Sequence, residues 1–233
     1  MERVVVISGT SKGIGREAAL HFLAQGCKVH GCSRGEGTIA QDGYVHTSLD
    51  LREESAVRGW MRDVKRQEGR IDVLFCNAGY APADRLVTMT SGDVVDEVLL
   101  TNVKGTFLLC REAAKYMMRQ KSGRIITVSS MAAGLHLAGT AAYAMSKAAI
   151  VELTKILAKE LAPFGVTCNA IAPSMYMTDG VEALEGPVIE RALQSLTLKR
   201  TLSLEELLHV LDFFVADEAS AVTGQVVALG QSN

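Results

Sequence analysis

Short β-branched runs alternate with longer helical patterns along the whole chain. Two of the runs, VVVI and VLFC, are apolar at every position, which is typical of strands buried on both faces of a parallel sheet. The predicted strands cover residues 3–8, 27–32, 44–48, 71–76, 124–129, 166–171 and 225–229. The predicted helices cover residues 14–25, 53–68, 91–119, 142–162, 181–195 and 203–216. This alternation predicts an α/β fold: a doubly wound parallel sheet of about seven strands.

The first and second predicted strands are followed by different kinds of connection. Ile14, Ala18 and Phe22 repeat at i, i+4 and i+8, and Gly26 lies where a helix C-terminal cap is expected. Only nine residues, GEGTIAQDG, separate Arg34 from Tyr44. That segment is too short and too rich in glycine for a crossover helix. We therefore expect a loop there, and a thinner layer over that flank of the sheet.

Composition indicates one folded domain that covers residues 1–233. The chain has four prolines, no low-complexity segment and no internal repeat, so nothing marks a linker. Hydrophobic residues make up 48% and charged residues 21%, which excludes a disordered chain. A net charge of −2 gives no general attraction to nucleic acid or to an anionic membrane. No apolar stretch approaches a membrane span and the N-terminus does not resemble a signal peptide, so we expect a cytoplasmic protein.

The five cysteines do not form a metal site or a disulfide framework. They stand at positions 27, 32, 76, 110 and 168, without a CxxC pair or zinc-ligand spacing. Their number is odd and most lie in apolar runs. Buried free thiols in a reducing compartment are the expectation.

A glycine-rich turn follows the first strand. The segment SGTSKGIG has glycines at 9, 13 and 15 and leads directly into the first helix. Glycines allow a sharp turn and let a pyrophosphate approach the helix N-terminus, where free N–H groups and the helix dipole favour anions. An ordinary strand–helix turn is the alternative, and the position between strand one and helix one favours a dinucleotide.

Tyr143 and Lys147 form the second chemical signal. At i and i+4 of a helix they lie on one face, so the ammonium can approach the phenol. A nearby cation favours the phenolate and is expected to lower the tyrosine pKa, which makes Tyr143 a candidate acid or base. The alternative is an exposed helical Tyr–Lys pair.

Further residues have the order and spacing of one family. Ser130 ends the strand GRIITVSS, 13 residues before Tyr143, and Asn102 stands 28 residues before Ser130. Asn77-Ala78-Gly79 closes the fourth strand. Together with the glycine turn and the segment 173–178, this pattern resembles the short-chain dehydrogenase/reductase family over nearly the whole chain. It is most similar to the 3-oxoacyl-(acyl-carrier-protein) reductases, which have a Rossmann-type fold.

The resemblance implies catalytic roles for Asn102, Ser130, Tyr143 and Lys147. Tyr143 would protonate a carbonyl oxygen, or deprotonate a hydroxyl in the reverse direction. Lys147 would hold the nicotinamide ribose, and Ser130 would hydrogen-bond the substrate oxygen. Asn102 would position a water that links Lys147 to solvent. No metal is implied, and no His, Cys and carboxylate cluster suggests one.

The end of the second strand indicates which cofactor is used. The resemblance places there an Asp or Glu that binds the adenosine ribose in NAD-dependent relatives, but this chain has Ser33 followed by Arg34. With Lys12 in the glycine turn, two cations and a hydroxyl favour NADP(H) over NAD(H). The alternative is that Glu36 takes the acidic role. The predicted cofactor-binding residues are Gly9, Ser11, Lys12, Gly13, Ile14, Gly15, Ser33, Arg34, Asp50, Leu51, Asn77, Ala78, Gly79, Tyr143, Lys147, Pro173 and Thr178.

The substrate positions implied by the resemblance are apolar and adaptable. They include Tyr80, Met131, His136, Met175 and Tyr176. These residues suggest a mid-sized, partly apolar carbonyl compound. The alternatives are that the methionines only pack a lid and that His136 is only a loop residue.

The sequence and the resemblance therefore predict an NADPH-dependent reductase of a ketone or 3-oxoacyl compound. The substrate is expected to be small or carrier-bound. An NAD(P)+-dependent dehydrogenase of a sugar, polyol or other secondary alcohol is the alternative on the same four residues. The resemblance also implies a homo-oligomer, dimer or tetramer, that assembles through the helices at 91–119 and 142–162.

Overall fold

The protein is described by a computed structural model that covers residues 2–176, 190, 193–194 and 196–231. Its strands are β1 (Val4–Ser8), β2 (Lys28–Ser33), β3 (Tyr44–Ser48), β4 (Val73–Cys76), β5 (Gly123–Val128), β6 (Val166–Pro173) and β7 (Val226–Leu229). They form one sheet in the order β3-β2-β1-β4-β5-β6-β7, and every pairing is parallel. The strand order reverses between β1 and β4, which is where such sheets bind ligands at the carboxyl ends of the strands.

The helices cover both faces of the sheet. They are α1 (Gly13–Ala24), α2 (Glu54–Glu68), α3 (Gly92–Val98), α4 (Gly105–Gln120), α5 (Ala132–Leu135), α6 (Ala141–Leu161) and α7 (Leu204–Val215). Short 3₁₀ turns span Val87–Met89, Ala162–Phe164 and Asp217–Ala219. These elements confirm the predicted single α/β domain. The helix predicted over 181–195 falls largely outside the described residues.

Two hydrophobic clusters lie on opposite faces of the sheet. Alternate residues of β1 point to opposite faces, so Val4 and Val6 belong to one cluster and Val5 and Ile7 to the other. The first cluster is covered by α2, α4 and α6, and the second by α1 and α7. Helices shield both faces of the sheet from solvent, which explains why the central strands are apolar at nearly every position.

The predicted helix over 91–119 is one helical run with a change of pitch in its middle. A π-helical segment, Leu99–Lys104, joins α3 to α4. A helical period alone does not reveal such a segment, because the apolar face continues through it. π-helical turns are frequent at functional sites, and this one contains the buried Asn102.

Residues 34–43, all of which the structure describes, connect β2 to β3 without a helix, as predicted. Hydrogen bonds hold this connection in place. Thr38 Oγ1 donates to the Ser11 carbonyl oxygen at 2.9 Å, and Ser48 Oγ donates to the Arg34 carbonyl oxygen at 3.0 Å. β3 is an edge strand, and Val45 on it is 44% exposed. The connection therefore lies against the glycine turn rather than over the sheet.

All five cysteines are buried as free thiols, as predicted. In the part of the chain that the structure describes, no helix is both long and apolar enough to cross a membrane.

Candidate active site

The glycine turn packs closely against the end of β4. Gly9 has a φ of +79°, and a Cβ there would lie 2.9 Å from the Ala78 Cα. A Cβ at Gly15 would collide with the Gly9 carbonyl oxygen and with the Asn77 amide. Glycine is therefore required at both positions by close approach, and at Gly9 also by backbone conformation.

Asn77 and Ala78, at the end of β4, hold the glycine turn by hydrogen bonds. The Asn77 amide donates to the carbonyl oxygens of Ser8 and Gly9, both at 3.2 Å. The Ala78 N–H donates to Ser8 Oγ at 3.1 Å. The ends of β1 and β4 are thus joined by side-chain bonds as well as by strand pairing, so the turn is held in one shape.

The turn fits the pyrophosphate of a dinucleotide. Lys12 is the N-cap residue of α1, and no side chain caps the N–H groups of the first turn. The first turn also carries no acidic residue. A 12-residue helix that begins this way presents free N–H groups and the positive end of its dipole to an anion.

Asn102 anchors the segment that follows β4. Its Oδ1 accepts from the Tyr80 N–H at 2.7 Å, and its Nδ2 donates to the Tyr80 carbonyl oxygen at 2.9 Å. The same Nδ2 donates to Ser146 Oγ on α6 at 3.0 Å. These three contacting groups belong to two residues, one in the loop after β4 and one on α6. Asn102 therefore ties the π-helical segment to α6 and to the β4 loop.

Tyr143 and Lys147 lie one turn apart on α6, as their spacing predicts. The Lys147 ammonium donates to the Val128 carbonyl oxygen at 2.8 Å and lies 5.6 Å from the centre of the Tyr143 ring. A Cβ at Gly79 would be 3.5 Å from both the Lys147 Nζ and the Asn102 Oδ1, so Gly79 lies beside both side chains. Burial lowers the pKa of Lys147 to about 8.

Ser130 lies near the Tyr143 phenol, and its Oγ accepts from the Ala132 N–H at 3.1 Å. Burial raises the pKa of Tyr143, and the hydrogen bond with Ser130 opposes that rise. The expectation that Lys147 lowers the tyrosine pKa is therefore not met in this structure. The reason is that α6 buries both groups, and desolvation of the phenol outweighs the effects that favour the phenolate. The structure thus brings the four predicted catalytic residues to one edge of the sheet.

The predicted adenosine end of the cofactor site lies beyond β2 and β3. Lys12 and Arg34 are exposed there, as a phosphate contact requires. Asp50 forms an ion pair with Arg52 at 2.6 Å, and the hydrogen bond from Arg52 holds the pKa of Asp50 below its usual value. Leu51 is buried against Gly105. Any contact between Asp50 and an adenine would be shared with Arg52.

The predicted substrate residues lie on three separate segments. Met131 is buried and its N–H donates to the Pro173 carbonyl oxygen at 3.3 Å, while His136 is exposed and ends α5 with a φ of +52°. The carbonyl oxygen of Met175 accepts from the Leu202 N–H at 2.8 Å. Burial and the carboxylates of Glu17 and Glu205 raise the pKa of Tyr176, which places its phenol near α1 and α7. Thr178 lies outside the described residues.

Sequence reasoning missed residues at both ends of the site. A recess of about 20 Å³ beside Tyr143, enough for about one water, is walled by the segment 82–85 and by 139–142. At the adenosine end, Tyr44 and His46 project from β3 towards Thr10 and Ser33. The one signal available was the short connection before β3, which leaves that strand uncovered.

Comparison with known proteins supports this geometry. A family model described as enoyl-(acyl carrier protein) reductase matches residues 9–230. The 3-oxoacyl-[acyl-carrier-protein] reductase FabG of Salmonella typhimurium is 29% identical over 97% of this chain and 94% of its own length. The corresponding reductase MabA of Mycobacterium tuberculosis is 31% identical over 97% and 91%. A solved structure titled "ElxO with NADP Bound" is 25% identical, with a TM-score of 0.92, over 98% of this chain and 97% of the other.

These matches span nearly the whole chain and include every element that carries the site. The glycine turn, the β4 end and the four residues around Tyr143 all fall within the matched range. The chain therefore belongs to the short-chain dehydrogenase/reductase family and is an NAD(P)-dependent oxidoreductase.

Proposed function

We propose that the protein is an NADPH-dependent reductase that converts a ketone or 3-oxoacyl compound into an alcohol. The observation that carries this proposal is the position of the Tyr143 phenol, near Ser130 and one helical turn from the buried Lys147. Two hydroxyl groups that meet in this way can both donate to one substrate oxygen. A carbonyl oxygen that becomes an alkoxide is the acceptor that such a pair stabilises best.

The roles of the side chains follow from their environments. A bound NADPH would supply a hydride to the carbonyl carbon. Because burial raises the pKa of Tyr143, the phenol is protonated at neutral pH and can give its proton to the carbonyl oxygen. Ser130 donates a hydrogen bond to the same oxygen as negative charge develops on it. Lys147, charged below about pH 8, would stabilise the phenolate that remains and return a proton to it.

Tyr143→Phe tests the proton transfer. The variant keeps the ring and loses the hydroxyl, so kcat should fall by about 10²-fold or more, the usual contribution of a positioned general acid. NADPH affinity, measured by fluorescence titration, should stay within about threefold. Tyr116→Phe on α4 is the matched control, since it removes a phenol that packs against the core away from the site. A Tyr143→Phe variant with wild-type kcat would overturn the mechanism.

The preference for NADP(H) rests on charge at the adenosine end. Lys12 and Arg34 supply two cations near Ser33, where an acidic residue would repel a 2′-phosphate. The structural relative with NADP bound supports the same choice. Arg34→Asp should shift the preference towards NADH by about tenfold or more, measured as the ratio of kcat/KM for the two cofactors. An unchanged ratio would favour the alternative in which Glu36 binds the adenosine ribose.

The substrate class is supported by the names of the relatives. FabG and MabA are 3-oxoacyl-[acyl-carrier-protein] reductases, so a carrier-bound thioester is the first candidate. The description of the matching family model, an enoyl reductase, adds reduction of a carbon–carbon double bond as a second candidate. NADPH oxidation with 3-oxoacyl and enoyl thioesters, ketones and keto-sugars separates them. Faster NADP+ or NAD+ reduction with a polyol or another secondary alcohol would instead support the dehydrogenase alternative.

We also propose that the chain self-associates through α3, the π-helical segment, α4 and α6. These elements form an apolar groove of about 690 Å³, with Leu100 41% and Phe107 46% exposed. Asp96 and Lys104 flank it with opposite charges, which allows two copies to pair about a twofold axis. Phe107→Glu should convert the dimer or tetramer to a smaller species, as measured by light scattering, whereas Val45→Glu on β3 should not.

A cytoplasmic location stays a prediction.

A further inference from the structure

A chain of hydrogen bonds runs from the glycine turn to the β2–β3 connection. Thr10 Oγ1 lies 2.7 Å from the Tyr44 hydroxyl, which lies 2.9 Å from His46 Nδ1. His46 Nε2 donates to the Gly35 carbonyl oxygen at 3.0 Å and lies 3.2 Å from Ser33 Oγ. We name Thr10, Tyr44, His46, Gly35 and Ser33 the β3 relay. It ends on Ser33, the position at which the sequence predicts recognition of the adenosine ribose.

The relay exists because the connection before β3 is short. Without a crossover helix, the side chains of β3 face the end of β2 directly. Gly31 has no side chain, and a Cβ there would collide with the Tyr44 hydroxyl. Gly37 in the connection packs on the imidazole, since a Cβ there would lie 2.9 Å from the His46 Cβ and Cγ. His46 is therefore fixed from both sides rather than free on an edge strand.

The partners of His46 determine where its protons lie. A carbonyl oxygen only accepts, so the bond to Gly35 places a proton on Nε2. In the neutral ring Nδ1 then accepts from the Tyr44 hydroxyl, which in turn accepts from Thr10. Ser33 Oγ also donates to the Gly35 carbonyl oxygen, at 3.2 Å. Because His46 Nε2 donates to the same oxygen, the Ser33 proton can turn to a ligand without leaving that carbonyl oxygen unpaired.

We propose that His46 is a specificity-determining residue for the phosphorylated cofactor. It positions the Ser33 hydroxyl as a donor to the 2′-phosphate of NADP(H). This inference rests on the proposed use of NADPH and extends it to a residue of β3. The sequence placed recognition of the phosphate on Lys12, Ser33 and Arg34 alone.

The probes are adenosine 2′,5′-bisphosphate and 5′-AMP, which differ only in the 2′-phosphate. Calorimetric titration of the full-length protein gives the ratio of their dissociation constants without any turnover. For His46→Ala we expect the preference for the bisphosphate to fall by about tenfold, the size of one lost charge-assisted contact. For His46→Gln, whose amide can still donate to Gly35, we expect a change within about threefold. Because 5′-AMP affinity should be unchanged in both, it also reports that each variant is folded.

His209→Gln on α7 is the matched control, because it removes an exposed imidazole elsewhere and should behave as the wild type.

The outcomes separate this inference from the proposed function. If Arg34→Asp lowers the preference for the bisphosphate and His46→Ala does not, NADP(H) use stands and the role of His46 is refuted. A preference that falls as far in His46→Gln as in His46→Ala refutes positioning through the hydrogen bond to Gly35. If the wild type shows no preference for the bisphosphate at all, the proposed use of NADPH is refuted, and the role of His46 falls with it.

Discussion

Replacing Lys147 with Met removes a cation that destabilises the folded protein. Lys147 is 4% exposed, and its ammonium donates to the Val128 carbonyl oxygen. Burial lowers its pKa from 10.5 to about 8. That difference is equivalent to about 3 kcal/mol of folding free energy at neutral pH, at about 1.4 kcal/mol for each tenfold change in proton affinity. In return for this cost, the ammonium lies 5.6 Å from the centre of the Tyr143 ring.

The free-energy cost of burying the charged Lys147 depends on pH in a defined direction. Below about pH 8 Lys147 is charged in the folded and unfolded states, so the full penalty is present. Between about 8 and 10.5 the unfolded chain holds a proton that the folded chain has released, so the free energy of unfolding rises with pH. Methionine does not titrate, and loss of the Val128 bond costs the variant the same at every pH. The wild type should therefore gain about 2–3 kcal/mol relative to Lys147→Met between about pH 7 and about pH 10.

Urea unfolding of both proteins across this pH range measures the difference. Other groups that titrate at alkaline pH are common to both proteins and cancel. Lys155→Met is the matched control, because Lys155 lies on the same helix, is half-exposed and pairs with Glu152. Its stability should follow the wild type at every pH. Parallel curves for the wild type and Lys147→Met would refute the burial argument, and NADPH turnover by Lys147→Met should also be lost.

Two further substitutions test how the site is held. Gly15→Ala places a Cβ against the Gly9 carbonyl oxygen and the Asn77 amide, and should weaken NADPH binding by about 10- to 100-fold, corresponding to 1–3 kcal/mol of overpacking. Fluorescence titration measures it, and Gly59→Ala on α2, where the Cβ meets nothing within 4 Å, should bind normally. Asn102→Ala frees the Tyr80 backbone and should lower kcat by about tenfold or more while NADPH affinity changes little. A larger effect on NADPH affinity than on kcat would place Asn102 in cofactor binding instead.

The strands and the glycine turn could be predicted from the sequence because their signals are local. Continuous apolar runs indicated buried parallel strands, and each strand lies within two residues of its predicted bounds. The absence of a helix between β2 and β3 followed from a count of nine residues. Tyr143 and Lys147 followed from helical spacing, because i and i+4 share a face wherever the helix lies.

Other features depend on packing that no local pattern records. The π-helical segment keeps the apolar face of the helix running through it, so periodicity predicted one uniform helix. The direction of the Tyr143 pKa depends on how deeply α6 is buried, and spacing alone suggested the opposite direction. Spacing gives the distance between two groups. It does not give the dielectric around them, and here desolvation decides the pKa.

The two ends of the site therefore differ in how far a sequence can reveal them. The catalytic end is built from neighbours on one helix and from residues at strand ends, so residue counting finds it. The adenosine end depends on the register between β2 and β3, which pairs Gly31 with His46 and Ser33 with Ser48. A register shift of one residue would turn His46 and Tyr44 to the other face of the sheet and remove His46 from Ser33. The cofactor selectivity proposed for this chain thus depends on a non-local pairing, and the short connection is the reason that β3 side chains can take part in it.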